Sequence, residues 1–258
     1  MGENSNSNYI YGKNPVCEVL LKNSKRINKI YFQKGNFFDK RLKTIFEMAK
    51  ENKINIQYTN LSKFNEYFEN EPNYQGVVAQ VSPVEYMELE EFLNIKKDDF
   101  KRLVVLDGVQ DPHNFAAIIR TVAAAGFDGV LVSNHRSCPI NATVEKISSG
   151  AINHIPIIKT TSLSASLEYL KKQDFWVIAT QMEAKDNYYE IDYTDMNFAL
   201  VMGSEGKGIS KTILNSADFT IKLESNFESL NVSATCAVIV YEALRQIKVK
   251  SVNKLTKK

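Results

Sequence analysis

Five residues with reactive or hydrogen-bonding side chains stand in three separate stretches of this sequence. They are Asn114 and Arg120 in DPHNFAAIIRT, Glu205 in VMGSEGKGIS, and Ser229 and Asn231 in ESLNVS. Amides, a hydroxyl and a carboxylate can orient a polar substrate, and a guanidinium can stabilise negative charge that develops during a reaction. If folding joins the three stretches, the residues predict a site that orients polar reactants.

The first stretch combines a turn with a helix. Asp111 and Pro112 form the turn, and Asn114 is expected to cap a helix that begins at Phe115. Arg120 lies inside this helix, beside its apolar face. A purely structural alternative is an arginine whose stem covers apolar surface while its charged head stays in water.

The second stretch has three glycines within six residues, so its backbone can approach a ligand closely. It does not match the P-loop, because Lys207 is followed by Gly208 and no glycine stands five residues before Gly206. The dinucleotide pattern G-x-G-x-x-G also fails, since Lys211 occupies its last position. A dinucleotide oxidoreductase is therefore disfavoured. A glycine-rich turn with an exposed Glu205 is the structural alternative.

The third stretch opens a helix that is apolar from Val232 onwards. Ser229, Asn231 and Ser233 place three polar side chains within five positions. A helix needs one capping side chain, and any of these residue types can provide it. The polar side chains beyond the one needed for capping indicate a second role for this segment.

The elements that must position these residues are regular from Lys101 onwards. Short apolar segments read as strands and are separated mostly by helical stretches such as NFAAIIRTVAAAG, which Gly126 ends. The strand segments are RLVVLDGV, GVLVSN, IPIIKT, FWVIATQ, FALVMG and FTIKL. This pattern predicts an α/β domain with a parallel sheet covered on both faces. Ligands of such sheets bind at the carboxyl ends of strands, here after Leu106, Met202 and Leu223.

The sequence before Lys101 has a different organisation. Residues 9–81 read as a small α/β domain with helices NPVCEVLLKN and KRLKTIFEMAKEN and strands INKIYFQ, INIQYT and YQGVVAQV. Residues 1–8 are expected to be a disordered tail, residues 82–100 an acidic linker, and residues 101–258 the second domain. The N-terminal aromatic residues either stack on bases or belong to the core, and at least one of Tyr31 and Phe32 is expected in the core.

The charges are distributed unevenly although the net charge is only +2. Residues 1–63 contain twelve Lys or Arg against five Asp or Glu, and residues 245–258 contain six basic residues and no acidic one. Such basic segments suit a polyanionic partner, although charged residues that merely solvate a surface produce the same pattern.

Composition also indicates in which cellular compartment the protein is located. Cys17, Cys138 and Cys236 are odd in number and form no CxxC pair, which argues against a disulfide framework and a cysteine metal site. The apolar stretches are too short for the ~20 residues of a membrane span. The first residues lack the features of a signal peptide. We therefore expect a cytoplasmic protein.

The three stretches together resemble the SPOUT class of methyltransferases, and within it the SpoU/TrmH branch of RNA ribose 2′-O-methyltransferases. The resemblance covers roughly residues 101–247 and rests on DPHNFAAIIRT, LVMGSEGKG and SLNVS in that order. In addition, YIYGKNPVCEVL and YQGVVAQV look like the RNA substrate-binding domain of the bacterial 23S rRNA guanosine 2′-O-methyltransferases.

The resemblance implies a C-terminal domain with a deep trefoil knot, a homodimer, and S-adenosylmethionine as the methyl donor. We expect no metal. The implied reaction methylates a ribose 2′-hydroxyl of RNA, in particular a guanosine of 23S rRNA. Alternatives are a tRNA or another rRNA nucleotide, or a catalytically silent RNA-binding protein. The implied catalytic residues are Asn114, Arg120, Glu205, Ser229 and Asn231. The implied cofactor-binding residues are Met202, Gly203, Ile221, Leu223 and Leu230.

The sequence departs from the family pattern in its third motif. Lys222 and Ser225 stand where the family usually has Pro and Gly, residues that shape the cofactor loop. The role of Arg120 stays open between two alternatives. The family assigns it as the base, yet a guanidinium does not normally lose its proton. It can instead grip a phosphate and stabilise the developing alkoxide.

Overall fold

The structure is a computed structural model that describes residues 8–35, 39–60, 74–96, 99–226 and 229–255. Its chain divides into two units, residues 1–85 with 140–154, and residues 86–139 with 155–258. The predicted N-terminal tail lies outside the described residues, except for Asn8, which begins the first strand. No helix in the described ranges has the length and apolarity needed to cross a membrane.

The first unit contains a four-stranded sheet in the order β1-β4-β2-β3. The strands are β1 (Asn8–Tyr11), β2 (Ile27–Gln33), β3 (Asn55–Thr59) and β4 (Val77–Val81), and the helices before and after β2 are α1 (Lys13–Asn23) and α2 (Lys40–Glu51). Strands β2 and β3 are parallel, and the other pairs are antiparallel. Residues at helical spacing on α1, such as Val16 and Val19, are buried with Ile30 of β2. Phe32 also lies in this core, which confirms the prediction for the Tyr31–Phe32 pair.

A segment distant in sequence completes the first unit. It contains α5 (Ala142–Ile147) and a short turn of 3₁₀-helix, Ala151–Asn153. Arg26, only 6% exposed, joins this segment to the end of β4. Its guanidinium donates to both carboxylate oxygens of Glu145 at 2.8 and 3.3 Å and to Oδ1 of Asn153 at 2.7 Å. It also donates twice to the carbonyl oxygen of Ser82, at 3.0 and 2.9 Å.

Arg26→Lys is expected to lower the free energy of unfolding by about 2 kcal/mol, since hydrogen bonds to charged groups contribute roughly 1.5–3 kcal/mol each and an ammonium cannot reproduce the planar fork. Urea unfolding of the full chain measures this change. Lys13→Ala is the control, because it removes only the partly exposed pair with Asp39 and should cost less than about 1 kcal/mol. Equal effects of the two substitutions would contradict the structural role of Arg26.

The second unit contains seven parallel strands in the order β7-β6-β5-β10-β8-β11-β9, which confirms the predicted parallel sheet. The strands are β5 (Arg102–Asp107), β6 (Gly129–Ser133), β7 (Ile157–Thr160), β8 (Phe175–Thr180), β9 (Asp186–Asn187), β10 (Asn197–Gly203) and β11 (Phe219–Lys222). The helices are α3 (Leu89–Asn94), α4 (Pro112–Ala124), α6 (Leu163–Lys171), α7 (Lys211–Ser216) and α8 (Val232–Leu255). Leu89 and Phe92 of α3 pack in the core of this sheet, so part of the predicted linker is folded structure.

The strand order brings the three candidate loops to one edge of the sheet. Strand β10 lies between β5 and β8, and its register pairs Gly203 with Asp107. Strand β11 pairs with the other side of β8. The carboxyl ends of β5, β10, β8 and β11 are therefore neighbours, as a parallel sheet requires for a shared ligand site. The trefoil knot stays a prediction from the resemblance.

The start of α4 differs from the prediction. The helix begins at Pro112, not at Phe115, and its cap is Asp111, whose carboxylate accepts the backbone N–H of Asn114 at 2.8 Å. Proline suits the first helical position because its fixed φ is helical and no partner is needed for its nitrogen. The prediction that Asn114 caps the helix was therefore wrong, and its side chain is available for other contacts. The predicted end is confirmed, since Gly126 has a φ of +74° just beyond the helix.

Candidate functional site

Three of the predicted catalytic residues form a hydrogen-bonded triangle. The side-chain amide nitrogen of Asn114 donates to Oε1 of Glu205 at 3.0 Å. The amide nitrogen of Asn231 donates to the same oxygen at 2.7 Å and to Oδ1 of Asn114 at 2.8 Å. One carboxylate oxygen thus fixes two amides that come from different elements, α4 and the start of α8. We call these three residues the amide triangle.

The contacts of Asn231 explain why polar residues are concentrated at the start of α8. Its side-chain oxygen accepts the backbone N–H of Ser233 at 2.9 Å and the Ser233 hydroxyl at 2.6 Å, as a helix cap does. Its side-chain nitrogen points to the other two members of the amide triangle. The same side chain therefore caps α8 and belongs to the candidate site.

The loop that carries Glu205 is folded tightly on itself. The backbone N–H of Ser204 donates to the carbonyl of Gly208 at 3.2 Å, and the reverse bond measures 2.9 Å. A Cβ at Gly203 would lie 2.3 Å from the carbonyl carbon of Gly208 and 2.5 Å from the nitrogen of Ile209. No side chain fits there, so glycine at position 203 is what lets the loop return against the end of β10.

The other two predicted catalytic residues lie outside this triangle. Arg120 is exposed on α4, whereas its neighbours Ile119 and Val122 are buried. Within the described part of the chain, its side chain makes no hydrogen bond and no ion pair. Ser229 is also exposed, two residues before the cap of α8. Both side chains are accessible to a substrate in this structure.

The predicted cofactor residues surround the ends of neighbouring strands. Met202 and Ile221 are buried within β10 and β11, and the carbonyl oxygen of Ile221 accepts the backbone N–H of Gln181 at 2.9 Å. Leu223 is partly buried, and Leu230 has 49% of its surface exposed. Backbone groups beside an exposed apolar side chain suit a flat heteroaromatic ring that has a hydrogen-bonding edge.

A cleft of about 400 Å³ opens beside the amide triangle. Its lining includes Asp107, Gly108, Gln110, Asp111, Asn114, Arg136, Ser204, Glu205, Lys207 and Ser210. Asp107 and Arg136 were not among the predicted site residues. The sequence did contain a signal for Asp107, because it ends the apolar run RLVVLD. A charged residue at such a buried position usually has a partner. Arg136 follows β6, whose loop was not among the candidate loops.

Two other kinds of chemistry receive no support. Burial, with the nearby Asp111 carboxylate as a smaller cause, raises the pKa of the Cys138 thiol, so this side chain is a poor nucleophile. Across the described ranges, no group of three His, Cys, Asp or Glu side chains could hold a metal ion.

The first unit presents a polar and aromatic sheet face. The register places Tyr9, Gln80 and Lys29 in one row, and in the next row Tyr11 and Tyr31 lie on either side of the buried Val78. The rings of Tyr9 and Tyr31 have centroids 6.5 Å apart, and Nζ of Lys29 lies 5.1 Å from the Tyr31 centroid. These side chains are only partly buried. We call this surface the tyrosine face.

Comparison with known proteins identifies both units. The family described as SpoU rRNA Methylase matches residues 101–241, and the family described as RNA 2′-O ribose methyltransferase substrate binding matches residues 9–87. A Staphylococcus aureus (strain MSSA476) protein assigned to the TrmH family of tRNA/rRNA methyltransferases is 36% identical over 241 residues, which is 92% of this chain and 95% of that protein.

Solved structures share the fold. The SpoU methyltransferase AviRb from Streptomyces viridochromogenes, crystallised with the cofactor AdoMet, has a TM-score of 0.76 at 18% identity and covers 92% of this chain and 89% of its own. An AdoMet-bound rRNA methyltransferase from Sinorhizobium meliloti has a TM-score of 0.75 at 19% identity, with 93% and 87% covered. With the amide triangle at the sheet edge and both family matches, the chain belongs to the SpoU rRNA methylase family.

Proposed function

We propose that the protein transfers a methyl group from S-adenosylmethionine to a ribose 2′-hydroxyl of RNA, and that its target is a guanosine of 23S rRNA. The observation that carries the proposal is the amide triangle at the carboxyl edge of a SpoU-family sheet. The substrate-binding family match of the first unit and the cofactor seen in the AviRb structure support it. Three free cysteines agree with a cytoplasmic location.

We propose that backbone groups at the ends of β10 and β11 hold the cofactor. Gly203, Ile221 and Leu230 would hold its adenosine part through backbone atoms, with the exposed side chain of Leu230 beside the ring. When bound, S-adenosylmethionine supplies a methyl group on a sulfonium, which is a good leaving group. Lys222 replaces a family proline here, yet it pairs in β11 as an ordinary strand residue opposite Asn187. That departure therefore leaves the strand end intact.

The protein's own contribution is to orient the ribose and to handle its proton. Glu205 holds the amides of Asn114 and Asn231 in fixed positions, and fixed donors and acceptors lower the entropic part of the barrier. We assign the exposed hydroxyl of Ser229 to a hydrogen bond with the same substrate. Arg120 approaches the reacting oxygen as a cation that stabilises the developing alkoxide, and the hydroxyl proton passes to solvent water.

Mass mapping of ribose methylation in rRNA and tRNA, from cells with and without the gene, tests the proposal. We expect one 2′-O-methylguanosine of 23S rRNA to disappear with the gene. A lost methyl in tRNA would overturn the rRNA target while keeping the reaction. An unchanged map, together with no heat of S-adenosylmethionine binding in calorimetry, would favour the silent RNA-binding alternative.

The tyrosine face is proposed to bind unpaired RNA bases, because aromatic rings beside a cation stack on bases of any sequence. Tyr31→Ala should weaken the binding of an rRNA fragment about tenfold, in line with the roughly 1–3 kcal/mol of one stacked base. Tyr31→Phe is the matched control, since it keeps the ring and should bind like the wild type. Filter binding measures both. Wild-type affinity in the alanine variant would exclude this face.

We also propose a homodimer formed through the second unit. Val238, Tyr241 and Val249 are exposed on one face of α8, and an apolar stripe on a long helix favours a protein partner. Light scattering at micromolar concentration should give twice the chain mass of 29.3 kDa. A monomeric mass would refute the dimer.

A further inference from the structure

Arg136 is a cation of the cleft whose hydrogen-bonding capacity is unused by the described residues. Its side chain is 61% exposed, and among the described residues it makes no hydrogen bond. Arg26 shows the opposite arrangement, with its guanidinium buried and bonded to three residues. An arginine offers five N–H donors in a planar fork that matches the oxygens of a phosphate. Arg136 therefore has the donors of an anion-binding group and no protein acceptor that occupies them.

A buried carboxylate steers this arginine towards the cleft. Asp107 ends β5 and is 4% exposed, and its Oδ2 accepts the backbone N–H of Ser210 at 2.8 Å. Its Oδ1 lies 3.6 Å from a terminal nitrogen of Arg136, close enough for an ion pair and too far for a hydrogen bond. The attraction of Asp107 thus keeps the guanidinium at the cleft without using its donors.

The position of Arg136 relative to the amide triangle sets what it can bind. Arg136, Asn114 and Glu205 line the same cleft, and Lys207 adds a second cation to its wall. A ligand held there by a phosphate would place its sugar beside the reacting side chains.

We propose that Arg136 forms a phosphate subsite for the RNA backbone next to the methylated ribose. This inference rests on the proposed function, because it takes RNA as the substrate. Asp107 is the positioning residue of the subsite, and Arg136 makes the contact. The carboxylate of S-adenosylmethionine is the other anion that the same guanidinium could bind, so the experiment includes a cofactor arm.

The test measures the affinity of the full chain for an rRNA fragment across a salt series. Each phosphate contact on single-stranded nucleic acid adds about 0.7 to the slope of log K against log salt. Arg136→Ala is expected to weaken binding about tenfold at 0.15 M salt and to reduce the slope by about 0.7. Arg136→Lys should keep the slope, because the charge remains, and recover only part of the affinity. Lys172→Ala, which removes an exposed charge just beyond the end of α6 and outside the cleft, is the control and should change neither quantity.

Several results would overturn the subsite. They are an unchanged slope in Arg136→Ala, an equal loss in Lys172→Ala, no RNA binding by the wild type, or a weaker S-adenosylmethionine affinity of Arg136→Ala in calorimetry. The last result would assign Arg136 to the cofactor. Failure of the proposed function gives a different result. The wild type would then bind RNA and Arg136→Ala would show the expected decrease in slope, but the wild type would transfer no methyl group.

Discussion

Arg120→Ala is expected to lower the rate of methyl transfer by on the order of 10³-fold, as the loss of one group that stabilises an oxyanion does in other enzymes. The fold should not change, because Arg120 is exposed and its side chain bonds to nothing in the described part of the chain. Cofactor affinity, measured by calorimetry, should equal that of the wild type. Single-turnover assays with radiolabelled S-adenosylmethionine measure the rate.

Arg120→Lys separates charge from geometry at the same position. It keeps the positive charge but loses the planar fork, so we expect it to fail nearly as badly as the alanine variant. Lys172→Ala removes an exposed cation just beyond the end of α6 in the same unit, and it should retain the wild-type rate. Full activity of Arg120→Ala would remove this residue from the active site.

Gly203→Ala is expected to impair both the cofactor site and the reaction. The new Cβ would lie 2.3 Å from a backbone carbon, whereas carbon atoms in contact prefer about 3.5–4.0 Å, so the loop with Glu205 must move by about 1 Å or more. A displacement of that size can lower a rate on the order of 10²-fold. Crowding should also lower the free energy of unfolding by about 1–3 kcal/mol.

Gly126→Ala is the matched control for this substitution. Gly126 has a φ of +74°, so alanine is strained there by about 1–2 kcal/mol, but its Cβ would meet no atom within 4 Å. Both variants should therefore lose stability in urea unfolding, and only Gly203→Ala should lose S-adenosylmethionine binding in calorimetry. Normal cofactor affinity in Gly203→Ala would show that the loop does not shape the cofactor site.

Local patterns in the sequence predicted the parallel sheet, six of its seven strands, and the candidate loops, but not the two-residue strand β9. Those features depend on apolar periodicity and on turn residues, which act between near neighbours. The start of α4 was missed because Asp111 and Asn114 both cap helices well, and only the position of Pro112 distinguishes them. The surplus of polar residues before α8 was recognised, but not that Asn231 alone combines capping with a contact to Glu205.

The remaining features depend on contacts between residues far apart in sequence. Asp107 and Arg136 are close only because β5 and β6 pair in the sheet, and no local pattern links them. Arg26 and Glu145 are 119 positions apart. Such pairs can be recognised only in the tertiary structure. Arg120 and Glu205 could be predicted as catalytic residues because the sequence resembles a known family.

The placement of residues 140–154 restricts how the RNA-binding domain can be exchanged for another domain. These residues lie between β6 and β7 in the sequence, yet they fold with the first unit, where Glu145 is 1% exposed and bonded to Arg26. A chimera that joins the second unit to a foreign RNA-binding domain would leave that carboxylate without its guanidinium. Recombination of such genes at a single point near residue 86 is therefore disfavoured. A functional exchange must carry the inserted segment together with the domain that Arg26 belongs to.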